Sequence, residues 1–166
     1  MDSINPDRSR RSLAPVSHHP LVFSGKSTVS KLADLRKPLP SSKHVYVLPV
    51  LPSIAWLLNI RCQGDIPFVP VAYSYVAVSQ DDCVIFIDGR KVQDGELRRR
   101  WTAEGVEVRE YGLDNLVKWV QEQGDKSRVL APKEASYALV DKIGQVRGIL
   151  RQSSWTGQSR ANCLSR

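Results

Sequence analysis

The sequence predicts an α/β domain in which helices flank a mixed β-sheet. About five segments rich in β-branched residues alternate with about five segments that have the apolar spacing of helices. Two strand segments, 71–79 and 83–88, are separated only by the polar turn 80–82, which predicts a hairpin and therefore an antiparallel pair. With 166 residues, of which 42% are hydrophobic and 25% charged, the chain is long enough for one core and too apolar for general disorder.

The individual elements follow from local patterns in chain order. Residues 1–25 contain Pro, Ser and Arg without periodicity, which predicts an extended lead-in. Five helices are predicted, at 28–37, 54–60, 95–103, 114–124 and 135–143. The first is capped by Ser27 or Thr28, and the fourth is capped by Asp114 and stops at Gly124. Five strands are predicted, at 44–50, 71–79, 83–88, 106–111 and 127–131. The helix at 54–60 is apolar nearly all round, so Trp56 and Leu57 are expected in the core. The loop 61–70 is expected to be irregular because it contains one glycine and two prolines.

The charge distribution divides the chain into three parts. Residues 1–37 hold 7 Lys/Arg and 3 Asp/Glu, residues 145–166 hold 4 Arg and no acid, and residues 38–144 hold 13 basic and 14 acidic side chains. We therefore predict a lead-in (1–25), an α/β domain (26–144) and an irregular basic tail (145–166). A nucleic-acid binder carries its basic surface on the folded domain, so this distribution argues against nucleic acid as a partner.

The sequence also argues against a membrane, a secretory route or a resident metal. The most apolar stretch, 45–58, contains two prolines and falls short of the roughly 18 apolar residues of a spanning helix. No secretory signal is visible, so the expected location is the cytoplasm. The three cysteines form no CxxC pair, and the three histidines have no carboxylate at metal-ligand spacing. Residues 23–27 end like a phosphate-binding loop, but Pro20 stands at the required first glycine and no strand precedes the segment.

Residues 54–78 carry a more specific signal. The run Ile-Ala-Trp-Leu-Leu-Asn-Ile-Arg is followed by Gly-Asp, Pro-Val and Ser-Tyr. These residues resemble the middle domain of the cytosolic Xaa-Pro aminopeptidase P family, which are metallopeptidases of the creatinase/prolidase group that release an N-terminal residue preceding proline. Support comes from 31–36, 86–88 and 135–138, so the resemblance covers about residues 5–144. The matching positions are Ala55, Trp56, Leu57, Leu58, Asn59, Arg61, Asp65, Pro70, Val71, Ser74 and Tyr75.

The resemblance implies a creatinase/prolidase N-terminal-type fold and a non-catalytic role. In the family, two Asp, one His and two Glu of a following domain hold two divalent metals, usually manganese, that activate the attacking water. The 23 residues after Ile143 contain no Asp, Glu or His, so we expect no catalytic or metal-binding residues and no cofactor in this chain, which would be a truncated relative inactive on its own. The family's signature loop, here Arg61, Asp65, Pro70, Ser74 and Tyr75, is expected on an interface or near substrate. It departs from the family pattern by the extra residue in Cys62–Gln63 and by Val69 in place of asparagine.

Two other readings remain open at this point. One is a stand-alone interaction module that pairs with itself or with an intact peptidase. The other is an unrelated small enzyme that uses Arg61, Asp65 and Tyr75. We expect the isolated chain to self-associate or to need a partner peptidase, because apolar side chains crowd the irregular loop and the tail: Ile66, Phe68, Val69, Leu150 and Trp155.

Overall fold

A mixed sheet forms the centre of the computed structural model, which describes residues 11–39, 44–124, 128–146 and 148–152. The strands are β1 Val16–His18, β2 His44–Leu48, β3 Ile60–Cys62, β4 Ser74–Val78, β5 Cys83–Ile87, β6 Val106–Arg109, β7 Arg128–Pro132 and β8 Ile149–Gln152. The helices are α1 Leu21–Ser24, α2 Thr28–Arg36, α3 Leu51–Leu57, α4 Gly95–Ala103, α5 Leu113–Glu122 and α6 Tyr137–Gly144, with a single 3-10 turn at Gly89–Lys91.

Six strands form the main sheet in the order β6-β5-β4-β2-β7-β8. Strand β2 pairs antiparallel with β4 and parallel with β7, and the pairs β5·β6 and β7·β8 are parallel. Within this sheet β4 alone runs opposite to the others. The other five strands therefore end at one edge, which we call the carboxyl edge, and the predicted mixed α/β fold is confirmed.

Helices cover both faces of the sheet, so its strands are apolar on both sides. Strand β5 shows the alternation, since Cys83, Ile85 and Ile87 pack against the cluster that includes α2, α3 and α4. Val84 and Phe86 point to the opposite face, where they meet α5 and α6. This burial on both faces explains the nearly continuous apolar runs from which the strands were predicted.

The helix starts agree with the sequence in part. The Ser27 hydroxyl caps α2 by accepting a hydrogen bond from the Ser30 N–H at 3.2 Å. Helix α5 begins after Gly112, so Asp114 lies in its first turn and is not the cap. Helix α3 begins at Leu51, with a proline in its first turn, and ends at Leu57.

Trp56 lies on a more open face of α3 than the buried Ile54, Ala55 and Leu57. Its exposed fraction is 36%, so the prediction that Trp56 is buried in the core was wrong, while Leu57 is fully buried as predicted.

The ends of the described chain are more regular than the sequence indicates. Strand β1 of the lead-in pairs antiparallel with β3, with Val16 opposite Cys62, so part of the loop predicted to be irregular is a strand. Strand β8 extends the main sheet beside β7, so the prediction of an irregular tail was wrong at 149–152. Trp155 lies outside the described residues, as does the side chain of Leu150. No helix within the described ranges has the length and apolarity that crossing a bilayer requires.

Candidate functional site

The five residues of the predicted site lie between the middle of β3 and the start of β4. We call residues 61–75 the signature loop. Because β4 starts at the carboxyl edge, the loop returns the chain to the edge where the parallel strands end. In open α/β sheets this edge is the usual position of ligand sites.

The Asp65 carboxylate is buried, and both of its oxygens have partners inside the protein. Both of its carboxylate oxygens bind the Lys91 ammonium, and one also accepts the Tyr73 N–H at 2.8 Å. The side chains of Lys91 and Asp65 are 2% and 0% exposed. Since a buried charge requires a partner, this ion pair fixes the loop to the 3-10 turn after β5. Asp65 therefore has a structural role here.

Ser74 and Tyr75 are also engaged internally. The Ser74 hydroxyl is buried and donates to the Ala72 carbonyl at 3.1 Å. The Tyr75 ring stacks on Tyr111 with centroids 5.4 Å apart. Burial, and next the hydrogen bond with Tyr111, raise the pKa of Tyr75 to about 12. The phenol thus stays protonated at neutral pH and is a poor general base.

Arg61 and Pro70 complete the predicted set. Arg61 lies on β3, and its guanidinium donates to the Ile60 carbonyl at 2.8 Å. The Pro70 carbonyl accepts the Cys62 N–H at 3.2 Å, which closes the base of the loop. Arg61, Asp65 and Tyr75 each contact a different partner, so the described geometry does not favour a small enzyme built on these three.

The predicted site left out a buried lysine, although the resemblance covers its segment, residues 31–36. Lys31 of α2 is 1% exposed, and its ammonium donates to the Trp56 carbonyl at 2.6 Å and to Asn59 Oδ1 at 2.5 Å. It also lies 4.2 Å from the centroid of the Trp56 ring. Burial, with a smaller effect of the Arg61 charge, lowers the pKa of Lys31 to about 8. The signal available in the sequence was the position of Lys31 four residues before Leu35 on the buried stripe of α2.

Asn59 receives this lysine in an unusual backbone conformation. Its φ is 51°, in the left-handed region, and its side-chain amide donates to the Lys26 carbonyl at 2.9 Å. Asn59 thereby joins the start of α2 to the end of α3. The match at Asn59 is explained by this conformation, which asparagine tolerates better than most residues.

The lead-in crosses the signature loop and reaches the carboxyl edge. The Arg11 guanidinium lies 5.2 Å from the ring centroid of Tyr73 and 5.1 Å from that of Tyr111. Gly64 has a φ of +128°, and a Cβ there would lie 3.0 Å from Ala14 Cβ. The glycine is therefore required by both its conformation and the close approach of the lead-in.

Apolar side chains, in contrast, point out of the loop. Phe68 is fully exposed and holds a left-handed φ of 66°, and Val69 is 41% exposed. Ile66 instead packs against the core. The outer surface forms a depression of about 560 Å³ lined by Gln63, Gly64, Ile66, Pro67, Phe68, Val69 and Pro70. This uncharged apolar surface is typical of a protein contact.

The described residues do not fit a two-metal centre. In the described ranges no three His, Cys, Asp or Glu side chains come together in a group that could hold a metal ion. The one carboxylate inside the signature loop, Asp65, already holds Lys91 with both oxygens. We therefore derive no metal-dependent step from this part of the chain.

Known proteins are similar to this chain in sequence. The family model of the creatinase/prolidase N-terminal domain matches residues 7–162. The chain is 32% identical over 170 residues to the "Probable Xaa-Pro aminopeptidase P" of Leptosphaeria maculans, covering 97% of this chain and 28% of that protein. It is 35% identical over 112 residues to "Aminopeptidase P1" of Arabidopsis thaliana, covering 67% of this chain and 17% of that protein.

A solved structure shares the fold. The X-prolyl aminopeptidase of Caenorhabditis elegans, described as a cytosolic enzyme with a di-nuclear active site, superposes with a TM-score of 0.80 at 29% identity. The superposition covers 92% of this chain and 25% of that one. The chain thus spans between about a sixth and just over a quarter of the length of these three relatives.

Proposed function

The chain belongs to the family of creatinase/prolidase N-terminal domains, and we propose on that premise that its described domain is a non-catalytic docking domain for the catalytic part of an Xaa-Pro aminopeptidase. Manganese chemistry would then belong to that catalytic part. The description of the Caenorhabditis elegans relative as cytosolic supports a cytoplasmic location.

The proposal rests on how the side chains of the signature loop are divided. Polar side chains of the loop form contacts inside the domain, and the apolar side chains of Phe68 and Val69 are exposed on the outer surface. The side chains of Asp65 and Ser74 form their hydrogen bonds within the domain, and these bonds fix the conformation of the loop. Phe68 is left fully exposed in a backbone conformation that is costly for a large side chain. A strained and exposed aromatic residue on a rigid base is expected to anchor a partner surface.

A binding experiment tests this docking role. The full chain is titrated against the Leptosphaeria maculans relative from which the portion matching this chain has been removed. We expect a one-to-one complex by isothermal titration calorimetry, and Phe68→Ser should weaken it by about tenfold or more. Phe23→Ser is the matched control, because Phe23 is 74% exposed and lies on α1, outside residues 61–75. Equal effects of the two substitutions, or no complex with the unmodified chain, would overturn the proposal.

An activity measurement tests the non-catalytic part of the proposal. The purified chain with added manganese should not hydrolyse an Xaa-Pro peptide, because the described residues offer no site for the metal pair. Turnover above buffer, together with a stoichiometric manganese site in calorimetry, would show that the chain carries its own catalytic centre.

A further inference from the structure

Strand β6 lies at one margin of the main sheet and is paired on one side in the described part of the chain. Its neighbour there is β5, to which it is parallel. Val106 and Val108 face the helix α4 side, and Glu107 and Arg109 face the other. An open strand margin offers its backbone N–H and C=O groups to a further strand.

The charges on β6 are arranged so that the strand complements a second copy of itself. Arg109 lies 2.7 Å from Glu107 and 2.9 Å from Glu122 on α5, and all three remain at least 35% exposed. In an antiparallel pair related by a two-fold axis through Val108, Glu107 of each copy lies opposite Arg109 of the other. Both such pairs are then of opposite charge.

Neighbouring symmetric registers are disfavoured by the same charges. Centring the pair on Glu107 places two carboxylates opposite each other, and centring it on Arg109 places two guanidinium groups opposite each other. A register centred between two residues would place side chains from opposite faces of the sheet next to each other. A two-fold axis normal to the sheet keeps each face on its own side, so it excludes such a register. Among the registers centred within 107–109, the one at Val108 avoids like-charge contacts and aligns residues 107–109 of the two copies.

The valine-bearing face of β6 borders a surface depression. A depression of about 430 Å³ runs along the strand between it and α4, lined by Arg98, Thr102, Gly105, Val106, Glu107 and Val108. Val108 is half-buried at its floor, so a partner's valine would complete the apolar contact.

We infer that the margin strand β6 is a self-association surface on which a second copy of this chain pairs antiparallel about Val108, extending one sheet through both molecules. This is independent of the docking role proposed for the signature loop, since the two surfaces share no residues.

Segments of the same chain are poorer occupants of this margin. The main sheet places β8 at the opposite margin, five strands and therefore about 24 Å away from β6. Residues 1–10 contain Pro6 and one β-branched residue, Ile4, so their sequence has a weak propensity to form a strand.

Charge reversal tests the inference. Sedimentation equilibrium of the full chain at about 100 µM should show a mass near twice 18.6 kDa. Glu107→Arg alone and Arg109→Glu alone should each weaken the dimer by about tenfold or more, because each places like charges opposite each other twice. The double variant E107R/R109E should restore dimerisation, because its exchanged charges are again opposite in sign.

The double variant also controls for loss of folding, since it carries both substitutions. A monomeric wild-type chain at that concentration would overturn the inference, as would a dimer that neither single reversal weakens. A chain that dimerises only after residues 2–10 are deleted would show that its own lead-in occupies the margin, and would overturn it too. Loss of the dimer through Phe68→Ser, with both reversals silent, would assign self-association to the signature loop instead.

Discussion

Replacing Lys91 by methionine should destabilise the domain by about 3–5 kcal/mol. Methionine keeps most of the volume of the lysine side chain but removes the cation, so the Asp65 carboxylate is left buried with the Tyr73 N–H as its remaining partner. The reverse single change, Asp65→Asn, leaves the Lys91 ammonium buried without its counter-charge, and a loss of similar size is expected.

The double variant D65N/K91M separates the cost of an unpaired charge from the value of the pair. An asparagine oxygen can still accept the Tyr73 N–H, and no charge remains in the site, so we expect a loss of about 0–2 kcal/mol. The coupling between the two substitutions should therefore exceed about 2 kcal/mol.

Urea unfolding followed by tryptophan fluorescence measures these losses, since Trp101 and Trp119 are both buried. With a slope of about 2 kcal/mol per molar urea, each single variant should lower the midpoint by about 1.5–2.5 M. Losses below about 1 kcal/mol in both single variants, or a double variant equal to their sum, would refute the assignment of Asp65 and Lys91 as a buried pair.

Three further predictions concern α2 and α3. The stability of the unmodified chain relative to a Lys31→Met chain should rise as the pH increases from about 8 towards 10.5, because burial lowers the pKa of Lys31 in the folded state and the unfolded state holds the proton longer. A difference in urea midpoint between the two chains that stays constant over this pH range would contradict the assignment. Asn59→Ala should lower the free energy of unfolding in urea by about 1–3 kcal/mol, because Lys31 loses an acceptor and alanine is strained at a positive φ. Asn59→Gly should recover part of this loss, and no recovery would show that the backbone conformation contributes nothing. Leu57→Ala should cost about 2–5 kcal/mol, whereas Phe23→Ala on the exposed α1 should change thermal stability by less than about 0.5 kcal/mol; equal losses would show that the buried face of α3 has been misassigned.

The main sheet was predictable where its pattern is local. Strands β4 and β5 are long, apolar and joined by a short polar turn, so their pairing could be read from adjacent residues. Strands β1 and β3 have three residues each and pair only because distant segments meet. A three-residue strand has no period to detect, so it becomes visible only once its partner is known.

The sequence predicted the location of the candidate site but not the contacts that its side chains make. The resemblance singled out Asp65, but nothing near Lys91 in the sequence distinguishes it from a solvent-exposed lysine. Their pairing spans 26 residues and depends on the path of the signature loop. The prediction for Trp56 failed for a different reason. The predicted helix is apolar nearly all round, so its sequence does not show which side chain faces outwards, and the exposed Trp56 ring lies beside the Lys31 ammonium.

The position of β2 in the sheet sets the order in which a newly made chain can fold. On one side β2 pairs with β4, which follows within a few tens of residues. On the other side it pairs with β7, so His44 has no partner until Arg128 has been synthesised. At ribosomal speeds of about 5–20 residues per second, that side of β2 stays open for roughly 4–17 s during synthesis. The antiparallel unit β2-β4-β5 has every strand it needs long before then, so it can serve as the early folding nucleus. The apolar strand β2 is then the segment that molecular chaperones have reason to shield until β7 leaves the ribosome.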